Sequence, residues 1–227
     1  MALYAIGDLH LSFTSDKPMD IFGWENHTEK VKDLWLEYIR EEDTVLIPGD
    51  ISWALRLEDA LTDLGWLANL PGNKILVKGN HDYWWQGISK LNSLYSNMFF
   101  LQNTYYLFEE YAICGTRGWV CPNSMNFTKH DEKIYLREVN RLRNSLEQAK
   151  RGGNKKIIAM MHYPPTNEKY DASGFTDLFE KYEVEKVIYA HLHGKNYYQM
   201  GFKGMRNNVE YSLVSCDYLQ FKPLKIL

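Results

Sequence analysis

Lys78-Gly79-Asn80-His81-Asp82 lies near the middle of the chain, directly after the apolar run Ile75-Leu76-Val77. Such a run reads as a buried strand, and it ends abruptly in Asn, His and Asp. The same grammar recurs. Ala5-Ile6 leads into Gly7-Asp8-Leu9-His10, and Val45-Leu46-Ile47 leads into Pro48-Gly49-Asp50. Ile157 to Met161 leads into His162, and Val187-Ile188-Tyr189-Ala190 leads into His191-Leu192-His193. Five apolar strands thus each deliver an Asp, Asn or His at the carboxyl end. In open α/β sheets that edge is where ligands bind.

Between these runs the periodicity changes. Val31, Leu34, Trp35, Tyr38 and Ile39 recur at helical spacing, which predicts a helix up to about residue 40 with Asn26 and Glu29 as its capping box. Leu57, Leu61, Leu64 and Ala68 mark a second helix, stopped by Pro71-Gly72. A short helix is expected over 84–96, strands at 98–101, 104–108 and 111–115, and a long helix over 131–150 with Ile134, Leu142 and Leu146 inward. Strand 156–161, helix 174–182 and strand 186–190 complete the alternation. Helices between the first three strands imply parallel strands joined by crossovers. The tail, at 196–200, 210–215 and 218–222, reads as antiparallel strands.

Length and composition narrow the class. A chain of 227 residues with 45% hydrophobic content suits one α/β domain spanning 1–227. No apolar run reaches membrane-spanning length, and the amino terminus enters the first strand with no secretory pattern. Cys114, Cys121 and Cys216 show no paired spacing, so reduced thiols and a cytoplasmic location are expected. A net charge of −3 argues against a duplex nucleic-acid partner. It leaves a small phosphorylated substrate open, because bound metal reverses local charge. Nothing in the sequence speaks to oligomeric state.

Asp8, His10, Asp50, Asn80, His162, His191 and His193 form an oxygen and imidazole donor set without sulfur. That chemistry suits divalent metals with open positions. Seven donors are too many for one tetrahedral ion and about right for two ions sharing a carboxylate. Asp8-Leu9-His10, Gly49-Asp50, Gly79-Asn80-His81-Asp82, His162 and His191-Leu192-His193, in that order, resemble the signature blocks of the calcineurin-like metallophosphoesterases, in the manner of the small bacterial predicted phosphohydrolases. The resemblance covers residues 3 to 194 and takes in five of the seven histidines. It implies two face-to-face β-sheets flanked by helices, with the metal site at the strand carboxyl ends. It implies Asp8, His10 and His193 on one metal, Asn80, His162 and His191 on a second, and Asp50 between them. It implies two divalent ions, a bridging hydroxide that attacks phosphorus, and His81 facing the leaving oxygen with Asp82 orienting it; imidazole ligands make Mn, Fe or Zn the expected metals.

Two departures qualify the resemblance. The last block opens on Ala190 rather than glycine. The Gly-Asp block also lacks the arginine of the protein phosphatase branch, since Arg56 is out of register. The expected activity is hydrolysis of small organophosphates, with phosphodiester model substrates cleaved. The alternatives are a nuclease or nucleotide hydrolase, or a non-catalytic scaffold of the same fold. Residues 116–130 are either a lid, with Arg117 on the substrate and Trp119 and Lys129 beside it, or a plain surface loop. Arg137, Arg141, Arg143, Lys150 and Arg151 read as a solvated helix face. His27 and His130 read as surface, and Tyr83-Trp84-Trp85 as packing beneath the His81 turn.

Overall fold

The computed structural model describes residues Met1–Leu227. Its elements are β1 (Leu3–Ala5), α1 (His27–Tyr38), β2 (Thr44–Pro48), α2 (Leu57–Ala68), β3 (Asn73–Val77), α3 (Ile88–Leu91), β4 (Met98–Phe100), β5 (Tyr105–Phe108) and β6 (Tyr111–Thr116). They continue with α4 (Lys129–Arg151), β7 (Lys156–Met161), α5 (Gly174–Lys181), β8 (Lys186–Tyr189), β9 (Gly204–Arg206), β10 (Val209–Leu213) and β11 (Leu224–Lys225).

Two sheets form the centre. One has the order β11-β1-β2-β3-β4, the other β5-β6-β7-β8-β10-β9. The strands from β1 to β4 run parallel, as do β6, β7, β8 and β10, while β11, β5 and β9 pair antiparallel at the edges. Parallel strands need crossovers, and the crossover helices bury the outer faces. The strand sequences show this directly. In β7, Ile158 and Met160 enter the core between the sheets, while Ile157, Ala159 and Met161 face α4 and α5. In β3, Ile75 and Val77 face the second sheet and Leu76 joins the core with α1 and α2. Alternate residues thus serve two different apolar layers, which is why the strands read as continuous apolar runs rather than as alternating ones. No helix is long and apolar enough to cross a membrane.

Several local expectations are corrected. Asn26 precedes α1 in a left-handed conformation (φ 52°) and makes no side-chain cap; its amide donates to Asp20 Oδ1 and Glu29 instead accepts from the Thr28 hydroxyl. The expected helix over 84–96 shrinks to α3, because Trp84 and Trp85 are drawn onto Phe100. Tyr83 stays exposed. Leu61 is exposed and Ala60 and Leu67 take the inner face of α2. In the tail, 196–200 and 218–222 are turns, and β10 joins β8 in parallel. His27 is not a surface residue: it is buried, with Nε2 3.0 Å from the Leu9 carbonyl.

Candidate metal centre

The parallel strands β1, β2, β3, β7 and β8 all end at one edge of the sandwich. Four of the candidate side chains there hang from left-handed backbone: Asp8 (φ 58°), His10 (φ 45°), Asp50 (φ 51°) and His191 (φ 73°). For a residue with a Cβ this costs on the order of 1–2 kcal/mol, and such strain concentrates at functional sites. Two glycines let the turns touch. A Cβ on Gly79 would fall on Asp50 Oδ1 and the Asp50 amide, and one on Gly49 would lie 2.7 Å from Gly79 Cα. The alanine at position 190 fits because its neighbour is Gly7, where an added Cβ would lie 2.6 Å from Ala190 Cβ.

The seven donors gather into two groups. Asp8, His10, Asp50 and His193 offer ligand atoms within 4.8 Å of one another, and so do Asp50, His162 and His191. Asn80 joins the second group, its Oδ1 2.6 Å from His162 Nε2 and 2.9 Å from His191 Nδ1. Asp50 Oδ2 lies between the groups, 3.8 Å from His10 Nε2 and 3.4 Å from His162 Nε2.

The distances carry a fit test. His10 Nε2 and His193 Nε2 are 3.0 Å apart, and His162 Nε2 and His191 Nδ1 are 3.1 Å apart. Two imidazole nitrogens each about 2.1 Å from one ion at a right angle would be separated by about 3.0 Å. Burial, with His193 next, holds His10 well below its ordinary pKa, and burial with His191 does the same for His162. Burial and then His193 bring His191 down to about 3. Imidazoles of lowered pKa with converging nitrogens, as at His10, His162 and His191, are suited to bind a cation. The carboxylates carry the complementary strain. Burial pushes Asp8 up to about 6, and burial, Asp82 and Asp8 together push Asp50 well above the ordinary range. Asp8 Oδ1 is buried with no hydrogen-bond partner. Nearby dry carboxylates of this kind call for a multivalent counter-charge.

His81 borders the first group, its ring 5.7 Å from His10 and 4.2 Å from Trp53. Burial, Lys17 and His193 hold its pKa below 6.5. Its side chain makes no hydrogen bond to the protein, and its amide donates to Asp50 Oδ1 at 2.8 Å. The expected orienting role of Asp82 is replaced by another. Its buried carboxylate accepts from the amides of Asp50, Ile51, Ser52 and Gly79 and from Trp84 Nε1. These donors exhaust its oxygens, so it pins the Gly-Asp turn to the Gly-Asn turn and leaves nothing for the His81 ring.

Arg117 also differs from expectation. Its guanidinium stacks on Trp119 at 4.6 Å and lies 3.5 Å from Glu138, a fully buried carboxylate of α4. Arg137 and Arg141, expected on a solvated face, share that carboxylate at 3.4 and 2.8 Å. Their alternation with acids resembles surface patterning because Arg117, 21 residues before Glu138, is brought beside them only by the fold. Lys129 is exposed at the start of α4.

Three groups went unrecognised in the sequence. Asp217 Oδ1 lies 3.5 Å from His193 Nδ1, and its other oxygen holds the Gly194 amide and the Tyr198 hydroxyl. With Asp8 it keeps His193 above 6.5 against the opposing effect of burial. It follows β10 as the other acids follow their strands, so the signal was present. Tyr163 packs on His191 with ring centroids 4.1 Å apart, next to His162 in sequence. Trp53 stacks on His10 at 4.7 Å.

Two mainly parallel sheets thus bring a cluster of Asp and His able to hold metal ions to one set of strand ends, in an α/β sandwich. Residues 1–195 match the calcineurin-like phosphoesterases, and the chain belongs to that family. It is similar to the Gene 66 proteins of two mycobacterial phages, 35% identical over 94 residues for phage D29 and 38% over 58 for phage L5. These alignments span 40% and 26% of this chain, and 47% and 28% of the relatives' own lengths. Among solved structures it resembles a phosphopantetheinyl hydrolase from Mycobacterium tuberculosis, with a TM-score of 0.61 and 14% identity over 100% of this chain and 95% of that one. A Thermus thermophilus protein gives a TM-score of 0.56 and 14% identity, over 85% of this chain and 82% of that one. At such identities the likeness is one of fold.

Proposed function

We propose that this chain is a binuclear phosphoester hydrolase acting on small organophosphates, phosphodiesters among them. The observation that carries the reading is Asp50 Oδ2, which faces His10 of one donor group at 3.8 Å and His162 of the other at 3.4 Å. Asp8, His10 and His193 would hold one divalent ion, Asn80, His162 and His191 the second, and Asp50 both. Manganese, iron or zinc suits imidazole better than magnesium does. Bound ions of this kind supply positive charge to phosphoryl oxygens and acidify water.

The chain's own groups do the rest. His81 stands free at the rim and donates an N–H to the leaving oxygen, which assists departure of the alkoxide. Asp82 fixes the turn that carries His81. Asp217, with Oδ1 3.5 Å from His193 Nδ1, favours the tautomer that carries its proton on Nδ1 and leaves Nε2 free. Space on two sides supports diester cleavage. A cavity of about 340 Å³ opens beside His10, His81 and His193. A second, of about 160 Å³, opens beside His191 and Tyr163, with Val120, Ser124 and Met125 on its wall. Within the segment 116–130, Val120, Cys121, Ser124 and Met125 line that cavity, and we assign this wall to the ester group that does not leave.

The test combines metal analysis with turnover. Reconstituted protein is expected to bind two ions per chain and to hydrolyse aryl phosphodiesters. Asp50→Asn weakens both sites. His81→Ala keeps its metal and loses on the order of 10²–10⁴ in kcat. A stoichiometry below one with every divalent ion, or His81→Ala losing metal but retaining full activity per metal, refutes the assignment.

A further inference from the structure

The larger cavity has walls of a kind that the hydrolytic chemistry does not require. Its inner end is formed by His10, His81 and His193, and its sides by Met19, Phe22, Trp24 and Trp53. No hydroxyl, amide or carboxylate side chain lines it. The wall is built, not loose. The Trp53 indole N–H points at Met19 Sδ 3.3 Å away, and the ring stacks on His10 with only 20° between the planes. Trp24 is buried with its ring 5.3 Å from His193. Phe22 and Ile21 are 61% and 67% exposed on a short turn beside the cavity mouth. Lys17 Nζ lies 4.6 Å over the Trp53 ring at the same mouth.

The leaving oxygen of a bound ester must face His81, and the group it carries must extend away from the donors. The space on that side is this cavity. A sugar or polyol placed against Met19, Phe22 and Trp53 would give up hydrogen bonds to water and regain few from these walls. A hydrophobic ring would cover Phe22 and Trp53 and release water from both. We infer that the substrate is a phosphoester whose leaving alcohol is apolar and bears a ring, held between Phe22, Trp24 and Trp53. This rests on the hydrolase reading above and names its substrate class.

Ethyl, glyceryl, benzyl and naphthylmethyl phosphates and their methyl diesters separate the possibilities, because the parent alcohols have similar acidity. For metal-loaded protein, kcat/KM for release of the alcohol is expected to rise by on the order of 30-fold from ethyl to naphthylmethyl, the scale of burying one aromatic group. The glyceryl ester stays at the ethyl level. In Phe22→Ala, whose exposed ring is not needed for folding, the naphthylmethyl-to-ethyl ratio falls by roughly tenfold. Calorimetry with naphthylmethanol alone on metal-free protein gives a readout apart from turnover, and Phe22→Ala is expected to weaken this binding. Turnover without preference among the esters overturns the pocket assignment and leaves the hydrolase reading intact. If no ester is cleaved at all, the hydrolase reading fails. The pocket is then decided by naphthylmethanol alone: binding that Phe22→Ala weakens supports it, and no binding overturns it.

Discussion

Asp82→Asn is the sharpest perturbation available, because it changes one buried oxygen and almost no volume. The wild-type carboxylate accepts from the Asp50 amide at 3.0 Å and the Gly79 amide at 2.7 Å through Oδ2. Through Oδ1 it accepts from Ile51 at 2.9 Å, Ser52 at 3.2 Å and Trp84 Nε1 at 3.1 Å. An amide has one acceptor oxygen. If it keeps the Oδ1 partners, its NH₂ confronts two N–H groups; if it flips, it confronts three. Each buried donor left without an acceptor costs about 1–3 kcal/mol, so the variant should lose roughly 3–5 kcal/mol. For a chain of this size that is a fall in Tm of roughly 6–20 °C. The loss should appear in metal-free protein, since the clash lies beneath the donors. Divalent-ion affinity should fall with it, because Asp50 and Asn80 ride on the two turns that Asp82 ties together. Urea unfolding and calorimetric metal titration measure both. A loss below about 0.5 kcal/mol, the range of an ordinary surface change, would show that the turns hold each other without the carboxylate.

Other perturbations probe different parts. Asp217→Asn removes the charge facing His193 Nδ1 and should weaken Mn²⁺ or Zn²⁺ binding roughly 10–100-fold; unchanged affinity in calorimetry refutes a positioning role. Glu138→Gln leaves Arg117, Arg137 and Arg141 without their shared charge. It should cost about 2–3 kcal/mol in urea unfolding, less than the 3–5 of a fully buried pair because Arg137 and Arg141 reach water. Lys74 is buried in β3, and burial brings its amine from 10.5 down to about 8. That displacement corresponds to roughly 3 kcal/mol, which the bond from the amine to the Leu70 carbonyl reduces to on the order of 1 kcal/mol. The sign is fixed: between pH 8 and 10.5 the unfolded chain holds a proton that the native amine has released, so wild-type stability rises with pH in that window. Lys74→Met should therefore be more stable than wild type below pH 8, with the advantage vanishing above 10.5; parallel curves at all pH values refute this.

The strands and the order of the donor residues were legible because each depends on local pattern. Ile157 to Met161 is apolar throughout, since the two faces of β7 meet two different cores, and the change to His162 marks the sheet edge. What escaped depends on supply from elsewhere. Glu138 is fully buried, and Thr116 and Arg117 from the end of β6 complete the partners that Arg137 and Arg141 supply from α4; within α4 its neighbours resemble a solvated face. His27 was assigned to the surface because nothing local reveals that the Leu9 carbonyl lies 3.0 Å from its ring. The short α3 reflects tertiary packing of Trp84 and Trp85 overriding helix propensity. Asp82 was read as a partner of His81 because the two adjoin in sequence, whereas three of its donors come from residues 50–52.

The aspartates at the strand ends divide their two oxygens between fold and chemistry. Asp8 Oδ2 accepts the His191 amide at 2.8 Å, tying β1 of one sheet to the turn after β8 of the other. Its Oδ1 remains unpartnered toward His193 Nε2, 3.7 Å away. Asp50 repeats the division, with Oδ1 on the His81 amide at 2.8 Å and Oδ2 between His10 and His162. Both residues also sit in left-handed backbone, which aspartate and asparagine tolerate better than other residues with a Cβ. A glutamate would lengthen the arm by a methylene, losing the close amide contact or moving the free oxygen away from the imidazoles. The carboxylates at these strand ends are therefore aspartates for two reasons acting together: the turn requires a left-handed residue, and the short arm lets one side chain hold the backbone while presenting an oxygen to the donor cluster.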